Sequence, residues 1–187
     1  MRFKEFWTEN KKIIGKIILN QFGATFLGLM VILAASAANT QRDWLMLFAS
    51  CFASLFYLFL LYNVIWERGG QDRIKIDGGR AHRKPLTGLW IAIAANIPNL
   101  ILAALVIISN PFKNSFEWAG TMNVISRSLC LLWEGMYAGF VSYFSPHNPI
   151  IHLLYIFPAI FVLTFGYMIG LSNRRILSFF ELKKTNK

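Results

Sequence analysis

Residues 66–85 read WERGGQDRIKIDGGRAHRKP, and this stretch orients everything around it. It is a polar, glycine-rich, mostly cationic loop between two long apolar runs. Each run has roughly the twenty residues that cross a hydrocarbon core of ~30 Å as a helix. Six Lys/Arg fall in 67–85, five in 1–16 and five in 172–187, so sixteen of the nineteen basic residues occupy three segments. Only Arg42, Lys113 and Arg127 lie elsewhere. Glu5, Glu9, Glu67, Asp72, Asp77 and Glu181 share those segments, which therefore hold the entire formal charge of +10. Lys and Arg gather on the cytoplasmic side of a membrane because translocating them is unfavourable. The charge is a topology signal. Its expected partner is the lipid bilayer, through anionic lipids of the inner leaflet, and not nucleic acid.

The composition agrees. A chain of 187 residues with 56% hydrophobic and 15% charged residues is too apolar for an ordinary soluble domain. The expected fold class is an all-α integral membrane protein forming a single membrane domain over 1–187. Its core is a four-transmembrane-helix bundle with spans at about 17–38, 44–66, 86–109 and 150–171. An amphipathic outer-face helix covers about 121–144, and 67–85 is a cytoplasmic loop. With four spans both termini are cytoplasmic. A fifth span at 121–144 would move the basic tail outside, against the charge bias. The expected location is the cell membrane, multi-pass.

The first apolar run follows a basic start and contains Ala35-Ser36-Ala37, as a cleavable signal does. Its length makes a retained transmembrane helix the expectation. Upstream, Phe3, Phe6 and Trp7 share a helical face, which suits either a short interfacial helix or a frayed tail. In the second span Phe48, Phe52, Phe56 and Phe59 form an aromatic ridge suited to packing or lipid, while Ala49 and Ala53 allow another helix to approach closely. Pro98 in the third span lacks a backbone donor and clashes with the carbonyl of Ala94, so a kink is expected there. Ala24/Gly28, Gly135/Gly139 and Gly166/Gly170 have small-xxx-small spacing, which supports helix association within or between chains. Cys51 and Cys130 read as small buried hydrophobes.

Three sets of residues are candidates for function. Asn96 and Asn99, beside the proline, form a candidate polar membrane site of the kind that transporters build from broken helices. The plainer alternative is that their amides bond neighbouring helices and hold the bundle together. Asn123, Ser126, Arg127, Cys130, Glu134 and Tyr137 form one polar stripe. Within it Arg127 and Glu134 line a vestibule, pair with each other across two turns, or simply stay in water on an interfacial helix. Arg68, Arg73, Lys75, Arg80, Arg83 and Lys84, with the loop glycines, form a candidate anionic-lipid or partner loop. The plainer reading is a solvated topogenic segment; RIKID within it could form a short strand, but a lone strand needs a partner. There is no P-loop signature. His147 and His152 lack further ligands nearby in sequence for a zinc site, and no G-x-S-x-G elbow is present. No catalytic residue, metal or cofactor is expected.

Trp66, Gly69, Asp72, Arg73, Gly79, Arg80, Gly88, Asn96 and Pro98, then Gly166-Tyr167 and Gly170, resemble a pattern found in a family of small bacterial polytopic membrane proteins. The resemblance covers the loop, the third span and the last span, and implies a membrane fold of about four spans without supplying an activity. The functional expectation is a non-enzymatic accessory or scaffold component of a membrane complex, with a homo-oligomer or membrane-protein partner. The alternative is a small transporter or channel using Asn96 and Asn99.

Overall fold

The structure is a computed structural model that describes residues 3–38, 43–82, 84–144 and 148–172. Among these every regular element is helical: α1 (Phe3–Ala38), α2 (Asp43–Asp77), α3 (Thr87–Ala95), α4 (Ile97–Ser109), α5 (Glu117–Trp133), α6 (Ala138–Phe144), α7 (Ile151–Leu154) and α8 (Ile156–Leu171). Short 3-10 turns at Asn110–Phe112 and Gly135–Tyr137 link α4 to α5 and α5 to α6. Three stretches are long and apolar enough to cross a bilayer: Lys4–Ala37, Trp44–Asp77 and Ile151–Leu171. A fourth exists only if α3 and α4, bent by 54° at their break, count as one path. These features fit a membrane protein.

α1 and α2 form a long antiparallel hairpin. Their 36 and 35 residues correspond to about 50 Å each at 1.5 Å per residue, well beyond the ~30 Å of a hydrocarbon core. The surplus is the charged end of each helix. The Lys16–Glu67 ion pair, at 3.6 Å, lies where the apolar portions begin. α1 is therefore one continuous helix from Phe3, and a separate interfacial segment does not form.

The 67–85 loop is also shorter than expected. α2 continues to Asp77, so RIKID is helical, and the connection is confined to 78–86. Gly69 and Gly70 do not interrupt the helix, because α8 packs across it there. A Cβ at Gly69 would lie 2.5 Å from the Tyr167 carbonyl oxygen and 3.0 Å from Gly170 Cα. Backbone approach of this kind requires glycine on both helices, and the tertiary packing offsets glycine's poor helix propensity. α2 ends in a Schellman motif: Gly79 has φ +68°, Gly79 N–H donates to Ile76 O and Arg80 N–H to Lys75 O.

The small-residue pairs all work inside the chain. Gly28 of α1 faces Met136, Gly135 faces Leu29, Gly139 faces Met46 and Ser50 of α2, and Gly166 and Gly170 face Ile65 and Trp66. Ala49 and Ala53 are buried as expected, and Phe48, Phe52 and Phe59 lie outward. Cys130 is buried, but Cys51 is exposed on the surface of α2, contrary to the sequence reading.

The largest correction concerns 121–144. A continuous amphipathic helix does not form: α5 runs from Glu117 to Trp133, the chain turns at Glu134, and α6 starts at Ala138. Its polar stripe faces inward, with Asn123, Ser126, Cys130 and Glu134 buried, while Val124, Ile125, Leu129 and Leu132 point out. Water-facing charges on an interfacial helix are thus not what the stripe provides. α5 lies antiparallel to α4, whose backbone and side chains satisfy part of the stripe: Asn123 donates to Val106 O and Ser109 Oγ at 3.2 and 2.9 Å.

Candidate functional site

Side-chain contacts link three helix breaks to one another, Asn96 through Asn99 to Trp133 and Tyr137 to Tyr155, and a proline marks two of them. Asn96 lies two residues before Pro98, and Tyr155 three before Pro158. Each proline leaves a carbonyl four residues earlier without a helical donor. At the first break Asn96 N–H is shared between Ala92 O and Ile93 O, both at 3.1 Å, and the Asn96 side chain donates to Ala92 O at 2.9 Å. The third break, at Glu134, has no proline. There the backbone departs from the helix at Glu134 (φ −112°, ψ 27°). This lets the following turn lie directly on Gly28 and Leu29 of α1.

Hydroxyls from the two long helices satisfy the backbone groups freed at Glu134. Tyr137 N–H turns to Glu134 O at 2.8 Å, so the Trp133 carbonyl accepts instead from Thr25 Oγ1 at 2.7 Å. Gly139 N–H donates to Ser50 Oγ at 2.8 Å, and Ser54 Oγ lies 3.4 Å from Met136 O. In an apolar surround each of these groups left unpaired would be costly, so the break is built in and stable.

At this turn Glu134 meets His152 of α7. Glu134 Oε2 and His152 Nδ1 are 3.2 Å apart, and each residue is only 4% exposed. Cys130, one turn earlier on α5, is fully buried, and its sulfur lies within 4.8 Å of a carboxylate oxygen of Glu134 and of a ring nitrogen of His152. Beside them Tyr137 stacks on Tyr155 with ring centroids 4.8 Å apart, and meets Tyr57 edge-on at 6.5 Å. The buried Tyr137 hydroxyl has no hydrogen-bond partner among the described residues. An apolar groove of about 570 Å³ opens next to these rings, lined by Ser54, Tyr137, Phe144, Leu154 and Tyr155 among others.

The asparagines form a separate, adjacent network. Gln21 donates to Asn99 Oδ1 at 2.9 Å, Trp133 Nε1–H donates to the same oxygen, and Asn99 Nδ2 donates to Asn96 Oδ1 at 3.0 Å. The amides thus bond α1, α4 and α5 together, which is the plainer of the two roles considered for them. Arg127 and Glu134 are not brought together. Arg127 turns to Asn123 and Asn110 near the α4–α5 connection, at 3.0 and 3.3 Å.

The basic residues of 67–85 divide. Arg68 pairs with Asp72 at 3.1 Å and bonds Asn10 at 3.2 Å, and Asp72 also accepts from Tyr167 Oη. Arg73 pairs with Asp77 and donates to Leu171 O, taking up a free carbonyl at the end of α8. These two arginines fasten helices. Lys75, Arg80 and Lys84, with Arg68, line a cavity of about 470 Å³ that Glu9, Asp72 and Thr87 share. Arg83, His147 and the basic tail from residue 173 lie outside the described residues.

His152 is the residue that sequence reasoning set aside. Its partners come from 18 and 22 positions earlier, and no local spacing marks them. A signal was available only in Glu134 itself, an acid inside an apolar stretch. Comparison of the chain with family models, with curated proteins and with solved structures returns no match. The reading of the site therefore rests on its geometry.

Proposed function

We propose that the protein is a small multi-pass membrane carrier that handles a proton or a cation at Glu134 and His152. The observation that carries this reading is the convergence of three helix breaks around a buried acid–imidazole pair. An ionisable side chain held away from water is a functional group by default in a membrane setting, and discontinuous helices near the midplane are how many carriers build their sites. The topology that goes with it has four crossings: α1 outward, α2 inward, α3 with α4 outward, and α7 with α8 inward. α5 dips in from the outer face and α6 returns to it, so the basic segments and both termini stay cytoplasmic. The outward-facing Val124, Ile125 and Leu132 support immersion of α5 in lipid.

This reading moves the working centre from Asn96 and Asn99 to Glu134, because the amides are already engaged with one another. The accessory-subunit reading is second. Its motive, the small-residue faces, is occupied within the chain, and what favours it is the cationic cavity at Lys75, Arg80 and Lys84.

Purified protein in liposomes, loaded in parallel with a pH indicator and with a fluorescent indicator for a divalent cation added outside, tests the carrier reading under an imposed potential. Wild-type vesicles should change internal pH or admit the cation faster than empty ones, and Glu134→Gln should return the rate to background while the protein stays monodisperse. A wild-type rate equal to that of empty vesicles overturns the carrier reading in favour of the accessory one.

A further inference from the structure

We infer that Cys130, Glu134 and His152 form a binding site for a borderline-soft divalent cation of the zinc class. The inference names the ion for the centre proposed above, and so rests on that reading.

Ligand type comes first. Thiolate, carboxylate and imidazole are the donors that suit zinc and its neighbours, whereas magnesium and calcium take oxygen sets. Charge comes second. A thiolate and a carboxylate with a neutral imidazole carry two negative charges, which one divalent cation cancels. In a buried, apolar setting a neutral assembly avoids the large cost of an uncompensated charge. A monovalent ion would leave one negative charge behind.

Geometry is third. Two donors 3.2 Å apart, each ~2.0–2.1 Å from the ion, subtend about 100° at it, close to tetrahedral. The Cys130 sulfur lies within 4.8 Å of a carboxylate oxygen of Glu134 and of a ring nitrogen of His152. A tetrahedral edge to sulfur is about 3.5 Å, so a side-chain adjustment of roughly 1 Å completes a three-donor face and leaves a fourth position open. The three residues come from two helices, with Cys130 and Glu134 four apart at the end of α5 and His152 on α7. Binding releases the Cys130 thiol proton to solvent as the metal–sulfur bond forms. The ion also replaces the hydrogen bond between Glu134 and His152, whose bridging proton moves to Nε2 of the ring, so that a thiolate, a carboxylate and a neutral imidazole face the ion.

The test is equilibrium binding to the full-length protein in detergent after treatment with chelator. Zn²⁺ is titrated against a chromophoric competitor, and Co²⁺ serves as the spectroscopic probe. Wild type should bind one equivalent and show a thiolate-to-cobalt charge-transfer band. Cys130→Ser should abolish the band, and His152→Ala should weaken Zn²⁺ binding by roughly tenfold or more. Cys51→Ser, on the exposed face of α2, should change neither. Monodispersity and unfolding temperature of each variant establish that it has folded, and Cys130→Ser is near-isosteric. Absence of binding by wild type overturns the inference, as does a band lost in Cys51→Ser and kept in Cys130→Ser. Metal binding without flux in the liposome assay supports this inference and sinks the carrier reading alone. Flux without metal binding does the reverse.

Discussion

The α1–α2–α8 seam and the segment from Asn96 to Tyr155 are built on opposite plans. In the seam, long helices run without interruption, and contact is made by removing side chains: Gly69 and Gly170 let backbone meet backbone, and Gly166 leaves room for the Ile65 and Tyr62 side chains. In the other region helices are short, their ends are internal, and contact is made by polar side chains that take up the groups freed at each break. The first plan yields a rigid frame with little chemistry inside. The second places a carboxylate, an imidazole and a thiol together where water is scarce. Breaking helices is what brings such groups together, because an unbroken helix presents its polar atoms only along one face.

The sharpest way to break the comparison is to fill the seam. Gly170→Leu drives a side chain into the Trp66 carbonyl and Gly69, and should abolish recovery of monodisperse protein, since overpacking costs about 1–3 kcal/mol even where neighbours can yield. Gly23→Leu on the open side of α1, with nothing within 4 Å, should behave as wild type in the same extraction. If both variants are tolerated, the seam is not the frame.

Next in size is the pair at the break. His152→Leu leaves Glu134 buried without its partner and should lower stability by about 1–3 kcal/mol, read by unfolding in mixed detergent. Glu134→Gln, which keeps an acceptor for the ring, should cost less. Equal losses would show that charge and not hydrogen bonding holds the pair.

Asn99→Leu comes third. It strands Gln21, Trp133 and Asn96, and about 1 kcal/mol is expected, because polar contacts between membrane helices average well below that and rarely exceed twice it. A change in flux larger than the change in stability would return the asparagines to the transport path. Smallest is Lys16→Ala. Its pair with Glu67 is more than half exposed, and the effect on unfolding should fall between zero and about 1 kcal/mol.

Much of the frame was legible in the chain. The apolar runs gave α1, the first part of α2 and α8, and Pro98 marked one of the breaks; the break at Tyr155, before Pro158, fell inside a stretch read as one span. Less was legible around the glycines. Gly69 and Gly70 read as loop residues because glycine disfavours isolated helix. Only the arrival of Gly170 from a helix one hundred residues later makes that stretch helical. The site was half legible: Glu134 stood out as a charge in an apolar stretch, whereas His152 and Cys130 did not.

By itself, then, the sequence determined composition-driven features: apolar segments long enough to cross a bilayer, basic residues gathered in three segments between and beyond them, and one proline break. These follow from local properties, the transfer of side chains and the geometry of one residue's backbone. The tertiary structure alone decided the continuation of α2 to Asp77, the inward turn of the polar stripe and the break at Glu134. Each depends on contacts between residues far apart in the chain, where a close approach to Gly28, or a hydroxyl from Thr25 or Ser50, replaces what the local helix would have supplied.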